Sequence, residues 1–348
     1  MWKVGLIGCG SIAKVHGWVL SAKEDVKIVA ACDIVRERAE AFMREFGQEE
    51  NSADASDSMG QEAKGVYTDW KELLTKDIDV IHICTPHYLH APMATEFLRR
   101  GKAVFMEKPC AINRKQFEEL TREDESHPGK LGFCFQNRYN VTTQKLDELV
   151  GGGAIGSVTG ARAFVTWRRD LGYYGSPWKG KWDTEGGGAL INQSIHTLDL
   201  MLRYLGKPVS VTASMHNHHL QGVIEVEDTV EAWMTFDQGE RACFYASNAY
   251  ATDAPVLLEI QGSKGRITMN GSDIMLWTEK GQSEHFFCEE KLGIGKSYWG
   301  SGHRACIQDF YDSLSEKRSF SVGLESVKKT FEVMMGIYEA AGAPIVQG

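Results

Sequence analysis

Lys3-Val4-Gly5-Leu6-Ile7-Gly8-Cys9-Gly10-Ser11-Ile12-Ala13 begins a stretch that ends at Ala31-Cys32-Asp33. Val4, Leu6 and Ile7 form a short apolar run, and Gly8 to Ala13 a G-x-G-x-x-A turn. A helical pattern continues to about Ala22, and a second apolar run over 26–32 stops at Asp33. Strand, glycine turn, helix, strand and terminal acid make the pattern of a dinucleotide-binding βαβ unit. Gly8 permits the tight turn, Gly10 lets backbone approach a pyrophosphate, and Ala13 lets helix and strand pack closely. Ser11 and Ile12 then begin the helix whose N-terminal amides face the phosphates. Asp33 lies where a carboxylate accepts from ribose hydroxyls and repels a 2′-phosphate, and Ile34 offers that phosphate no cation. The expected cofactor is therefore NAD, with NADP less favoured.

Outward from this unit the alternation continues. Residues 36–46 read as an amphipathic helix. Residues 48–64 are polar and acidic without periodicity, which predicts a surface insertion. A short helix over 69–74 precedes a buried parallel strand over 80–85, ending at Pro86-His87-Tyr88-Leu89-His90. Helix, strand (103–106, ending at Glu107-Lys108-Pro109), helix and strand (131–136) follow. Such alternation implies a doubly wound parallel sheet with ligands at the carboxyl ends of its strands. Asp33, Thr85, Pro86, Glu107, Lys108 and Gln136 should therefore share one crevice.

Past Gly151-Gly152-Gly153 the rhythm changes. A strand over 158–167 leads into an aromatic and basic loop, and glycines 186–188 introduce a helix over 189–205. Strands are then expected at 209–215, 229–236, 241–247, 256–261, 266–269 and 274–278, with a hairpin turn at Asp237-Gln238-Gly239-Glu240. Two helical patterns close the chain. The predicted fold is α/β: a Rossmann domain over 1–137, then an α+β domain over 138–348 with a large, mostly antiparallel open sheet. The final helices have the option of packing back on the first domain. One face of the open sheet needs cover, which predicts self-association.

The 348 residues suit two domains, and 43% hydrophobic with 24% charged residues is ordinary for a soluble protein. Thirty-eight Lys+Arg against 47 Asp+Glu give a net charge of -9, which disfavours nucleic acid or an anionic membrane as partner. No apolar run suits a membrane span, and the first strand starts at once. Eight cysteines lack a C-x-x-C pair and read as free thiols of a reducing compartment, so a cytoplasmic protein is expected.

Two elements carry chemistry. Pro109 keeps Lys108 out of helical geometry at a strand end, where its ammonium can overhang the crevice. On the second helix Asn192 and His196 are i, i+4 neighbours, and Asp199 follows at i+3. This polar stripe either faces a ligand or satisfies itself, as a core histidine bonded to Asp199. His216-Asn217-His218-His219 lacks the spacing and partners of a metal site, and no metal is expected.

Gly-x-Gly-x-x-Ala, Thr85-Pro86 with His90, Glu107-Lys108-Pro109 and Gly-Gly-Gly…Asn192-x-x-x-His196-x-x-Asp199 together resemble the Gfo/Idh/MocA oxidoreductases over essentially the whole chain. The resemblance implies NAD(P)-dependent chemistry at a ring carbon of a sugar, glycoside, sugar nucleotide or cyclitol. It also implies a homodimer or homotetramer formed through the C-terminal sheet. Lys108 matches the family's active-site lysine and His196 its proton-transferring histidine. Many members carry Asp where this chain has Asn192; an amide takes no proton, so Asn192 orients rather than acts as base. The Asn-Gln-x-x-His form is similar to members acting on UDP-N-acetylamino sugars and other glycosides. Gly8, Gly10, Ser11, Ile12, Asp33, Thr85, Pro86, His90, Glu107 and Lys108 are the expected cofactor residues, with His90 positioning chain rather than moving protons. Lys108, Asn192, His196, Tyr174 and Lys179 are the expected substrate contacts, the last two because sugar rings stack on aromatic faces and a cation suits a substrate phosphate or carboxylate. Two alternatives stay open: an enzyme that retains and recycles its NAD through transient sugar oxidation, and a non-catalytic nucleotide sensor.

Overall fold

Val4, Leu6 and Ile7 lie fully or almost fully buried in β1 (Trp2–Ile7), which pairs in parallel with β2 (Val26–Cys32) across helix α1 (Ser11–Ser21). The computed structural model describes residues 1–48, 64–289 and 300–344, so the expected insertion over 48–64 falls almost wholly outside the described residues. Helix α2 (Arg36–Phe46), the short strand β3 (Val66–Tyr67), β4 (Val80–Ile83), helix α3 (His87–Arg99), β5 (Ala103–Glu107), helix α4 (Arg114–Ser126) and β6 (Leu131–Cys134) complete the domain. The sheet order is β3-β2-β1-β4-β5-β6, all parallel, with the order reversing beside β1. That reversal opens a crevice at the strands' carboxyl ends. The near-continuous apolar runs of β4 and β5 follow from burial on both faces.

Helix α5 (Val141–Gly151), which the pattern left unassigned, joins the domains. The second sheet has eight strands: β7 (Val158–Thr166), β8 (Ser210–His216), β9 (Thr229–Thr235), β10 (Arg241–Ser247), β11 (Leu257–Gly262), β12 (Gly265–Asn270), β13 (Asp273–Thr278) and β14 (Ser283–Phe287). Their order is β14-β13-β12-β11-β7-β10-β9-β8, and only the β7–β10 pair is parallel. The sequence pattern did not anticipate β14, because Ser-Glu-His-Phe-Phe shows no clean alternation. Helix α6 (Ile195–Leu205) packs on β7, and helix α8 (Leu324–Ala340) on β8 and α6. The opposite face carries Trp233, Tyr245 and Phe164, with Trp233 63% exposed. Helix α7 (His303–Glu316) crosses back to α1 and β6 of the first domain.

The expected single helix over 189–205 needs correction. Residues Ala189–Ser194 form a π-helical turn, and regular α6 starts only at Ile195. Gly187 has φ +150°, and a Cβ there would stand 1.9 Å from Tyr338 Oη, so only glycine fits this entry. Buried Glu227, just before β9, caps the turn by accepting from Gly188 N (2.9 Å) and Leu190 N (3.0 Å). Single wide turns of this kind recur at functional sites.

Candidate active site

The crevice begins at the glycine turn. Gly8 has φ +87°, and a Cβ would meet Cys84 O at 2.6 Å, so β1 and β4 approach too closely there for any side chain. A Cβ on Gly10 would meet nothing within 4 Å, which leaves open space above the turn. Among the described residues no side chain caps the N-terminus of α1, and no acid lies in its first turn. Asp33 is buried, its oxygens accepting from Cys9 N and Val35 N at 2.8 Å each. Each oxygen keeps a second lone pair for a ribose hydroxyl. Ile34 beside it is 90% exposed, as a lip against an adenine ring would be. An open glycine, an uncapped helix start and a fixed carboxylate fit a dinucleotide.

Thr85 and Pro86 follow β4, with Pro86 as the N-cap of α3. His90 is buried, with Nδ1 2.9 Å from Pro109 O and Nε2 2.8 Å from Thr85 O. Burial lowers its pKa, and a neutral ring donates to one carbonyl at a time. His90 thus ties the loop after β4 to the loop after β5. Glu107 closes β5; His16 Nε2 donates to it at 3.1 Å, and its carboxyl sits far below the usual range.

Behind Glu107 lies a buried polar chain that the sequence did not reveal. His16 Nδ1 lies 2.8 Å from His82 Nδ1, and His82 Nε2 is 3.0 Å from Tyr311 Oη. A carboxylate only accepts, so His16 carries a hydrogen on Nε2. One hydrogen lies between His16 Nδ1 and His82 Nδ1, and His82 Nε2 pairs with the Tyr311 hydroxyl. His16, Glu107 and Cys134 each offer one ligand atom within 4.8 Å of the others, and His16 Nε2 is bonded to Glu107.

Lys108 brings the two domains together. Its Nζ donates to Asn192 O (2.7 Å) and Oδ1 (3.2 Å), so the strand-end amine meets the turn that leads into His196. Burial lowers the lysine's pKa, while Glu107 and Glu185 raise it. His196 packs edge-on against Phe135 (5.4 Å), with Nδ1 buried and unpartnered. Burial, then the Lys108 cation, push its pKa down to about 3, so the ring is neutral near pH 7. Asp199 does not serve this histidine. It accepts from Arg138 Nε (2.7 Å) and Nη2 (2.6 Å) and from Thr330 Oγ1 (2.6 Å). The i+3 spacing suggested a contact that the tertiary pairing with Arg138 replaces.

The two loop residues lie differently. Lys179 Nζ stands 3.4 Å from the centre of the Tyr173 ring, a cation–π contact at the site's edge. Tyr174 is buried in a small cluster with Leu220, Ile224 and Val226, and its hydroxyl accepts from Asn248 Nδ2 at 3.0 Å. Tyr173 is the tyrosine that reaches the π-helical turn, its hydroxyl accepting from Asn192 Nδ2 (3.1 Å) and Gln193 Nε2 (2.8 Å). Glu185, which sequence reading missed, accepts from Asn192 Nδ2 through Oε1. An acid immediately before three glycines was its only sequence signal.

The NAD-binding Rossmann model of the GFO/IDH/MocA oxidoreductase family matches residues 2–133, and that family's C-terminal domain model matches residues 143–268. D-glucoside 3-dehydrogenase of Escherichia coli is 31% identical over 222 residues, 62% of this chain and 57% of that protein, a little over half its length. Inositol 2-dehydrogenase of Rhizobium meliloti is 27% identical over 268 residues, 76% of this chain and 74% of that one. The fold of the WlbA dehydrogenase from Bordetella pertussis, solved with NADH and UDP-GlcNAcA, superposes with a TM-score of 0.81 at 23% identity, covering 98% of this chain and 95% of that one. By both of its halves the chain belongs to the Gfo/Idh/MocA oxidoreductases, and its N-terminal half is their NAD-binding Rossmann domain.

Proposed function

We propose that this protein is an NAD-dependent dehydrogenase that oxidises a ring CH–OH of a sugar, glycoside, sugar nucleotide or cyclitol, or reduces the corresponding ketone. The observation that carries the reading is the bond from Lys108 Nζ to Asn192, which seats an ammonium beside the helix of a neutral histidine. The matched relatives, named for a glucoside and inositol, support the substrate class.

NAD, when bound, supplies the hydride acceptor; the Gly8–Ile12 turn, Asp33, Thr85, Pro86 and Glu107 would hold it. The chain's residues supply the rest. An ammonium has three hydrogens, and two of Lys108's go to Asn192, which leaves one for the substrate oxygen. As the C–H bond breaks, negative charge grows on that oxygen and Lys108 stabilises it. His196, neutral, takes the hydroxyl proton and returns it in the reverse direction. Asn192 has no titratable group and fixes the geometry of the lysine. Lys179 and the Tyr173 face form the outer wall, suited to a ring or an anionic substituent.

The test is a screen for reduced nicotinamide across pyranosides, inositols and UDP-sugars, with and without His196. His196→Ala should lower turnover by roughly a hundredfold or more with NAD affinity intact. Turnover near that of the parent protein removes His196 from the mechanism. Nucleotide that survives desalting, with no net turnover, points instead to an enzyme that recycles its bound NAD.

A further inference from the structure

We infer that Glu185 is the positioning residue that locks the Asn192 amide, so that Asn192 offers a substrate hydroxyl only an acceptor while Lys108 stays charged beside it. The inference rests on the dehydrogenase reading and names the group that sets up its site.

Glu185 has no exposed surface. It is clamped through its main chain: its N–H donates to Lys181 O (2.9 Å), and its carbonyl accepts from His87 Nδ1 (2.8 Å). Its Oε2 accepts from Gly180 N and its Oε1 from Asn192 Nδ2. Both donors are fixed, one by the backbone and one by the π-helical turn. A carboxylate satisfies both; an amide of the same shape would turn its NH2 toward one of them.

The consequence passes to Asn192. One Nδ2 hydrogen goes to Glu185 and the other to Tyr173 Oη at 3.1 Å, and Oδ1 accepts from Lys108 Nζ at 3.2 Å. A flipped amide would set NH2 against the ammonium and C=O against the carboxylate, unfavourable at both ends. Asn192 therefore has no hydrogen left to give, and Oδ1 keeps one lone pair. Lys108 keeps one N–H. The reacting hydroxyl can accept that N–H while its own hydrogen goes to His196, and a neighbouring hydroxyl of the substrate can donate to Asn192 Oδ1.

Electrostatics support the arrangement. Burial pushes the Glu185 carboxyl up to about 7, with Glu227 adding to the rise, while the Gly180 and Asn192 bonds and Lys179 oppose it. Lys108 feels Glu185 as a charge that keeps it protonated. Around it among the described residues also lie the hydroxyls of Tyr173 and Tyr174 and the neutral ring of His87. As pH falls through about 7, Glu185 gains a hydrogen and loses an acceptor, and the amide loosens.

The experiment compares the full-length protein with Glu185→Gln and Glu185→Asp. In the Gln variant kcat should fall roughly 10- to 100-fold with NAD affinity unchanged. The acid limb of kcat/KM near pH 7 should vanish, and Glu185→Asp, with two acceptors, should bring it back. Independently of turnover, pH-dependent acetylation of Lys108, followed by mass spectrometry with acetic anhydride, gives the lysine's titration. In the parent protein that curve should inflect near pH 7 as Glu185 titrates, and in the Gln variant the inflection disappears. Parent-like kcat and an intact acid limb in Glu185→Gln overturn the assignment, as does a Lys108 curve without the inflection in the parent. If the Gln variant does not fold, the parent's curve alone decides. A parent protein that oxidises no sugar alcohol defeats the dehydrogenase reading, while the acetylation curve still judges Glu185.

Discussion

Removing Asp33 should cost NAD binding far more than NADP binding. The carboxylate is immobile before any nucleotide arrives, because Cys9 N and Val35 N each hold one oxygen at 2.8 Å. Little ordering therefore offsets the bonds it makes to the two ribose hydroxyls. A hydrogen bond to a charged group contributes about 1.5–3 kcal/mol, so two give at least ~3 kcal/mol. At ~1.4 kcal/mol per tenfold, Asp33→Ala should weaken NADH by about 100-fold. The same substitution lifts the repulsion of a 2′-phosphate, so NADPH should bind no worse and the preference between the two should collapse. Asp33→Asn keeps one acceptor and should fall between. Fluorescence titration of NADH and NADPH on the three proteins gives the dissociation constants directly. If Asp33→Ala bound NADH within about threefold of the parent protein, against the ~100-fold loss expected for two such bonds, Asp33 would not be a ribose ligand and the cofactor argument would fail.

Three further outcomes are expected. Arg138→Met leaves Asp199 buried with only the Thr330 hydroxyl, and urea unfolding should show a loss of about 3–5 kcal/mol, with much of it regained on adding Asp199→Leu; a loss under ~1 kcal/mol would mean the pair contributes little to stability. Stability should fall on acidification from pH 6.5 to 5. His82, His87, His90, His196 and His303 all have lowered pKa values, the last about 4, and bind protons less readily folded than unfolded. Asp124 at about 6 and Glu185 and Glu227 at about 7 push the other way, so two more groups lose than gain, or up to about 3 kcal/mol per pH unit; a melting temperature that rises toward pH 5 would contradict this. We propose, finally, that copies of the chain associate through the outer face of the eight-stranded sheet, and Trp233→Glu should then lower the mass seen in sedimentation, whereas an unchanged mass would place the interface elsewhere.

The nucleotide-binding half was legible in the residues because its signals are local. A glycine turn must follow a strand and precede a helix, and β1, α1, β2 and Asp33 stand where the spacing put them. Lys108 and His196 could each be named, one from Pro109 after a strand and one from helical spacing. That Lys108 would bond Asn192, on the turn leading into His196, could not be read, because it depends on how the second domain folds over the crevice. The π-helical turn escaped detection for a related reason. Its wide winding is held by Glu227 and Tyr338, 35 and 146 residues beyond Asn192, and neither leaves a mark on residues 189–194.

The amino-acid order by itself determined the two-sheet α/β architecture and the glycine turn of the NAD-binding domain, since periodicity and turn geometry act over a few residues. Only the tertiary structure decided who partners whom: Asp199 with Arg138 instead of His196, Tyr173 instead of Tyr174 on Asn192, Glu185 behind the amide, and His16 with His82 beneath Glu107. Buried polar groups take the partner that packing brings within about 3 Å, and that choice is made across the whole chain.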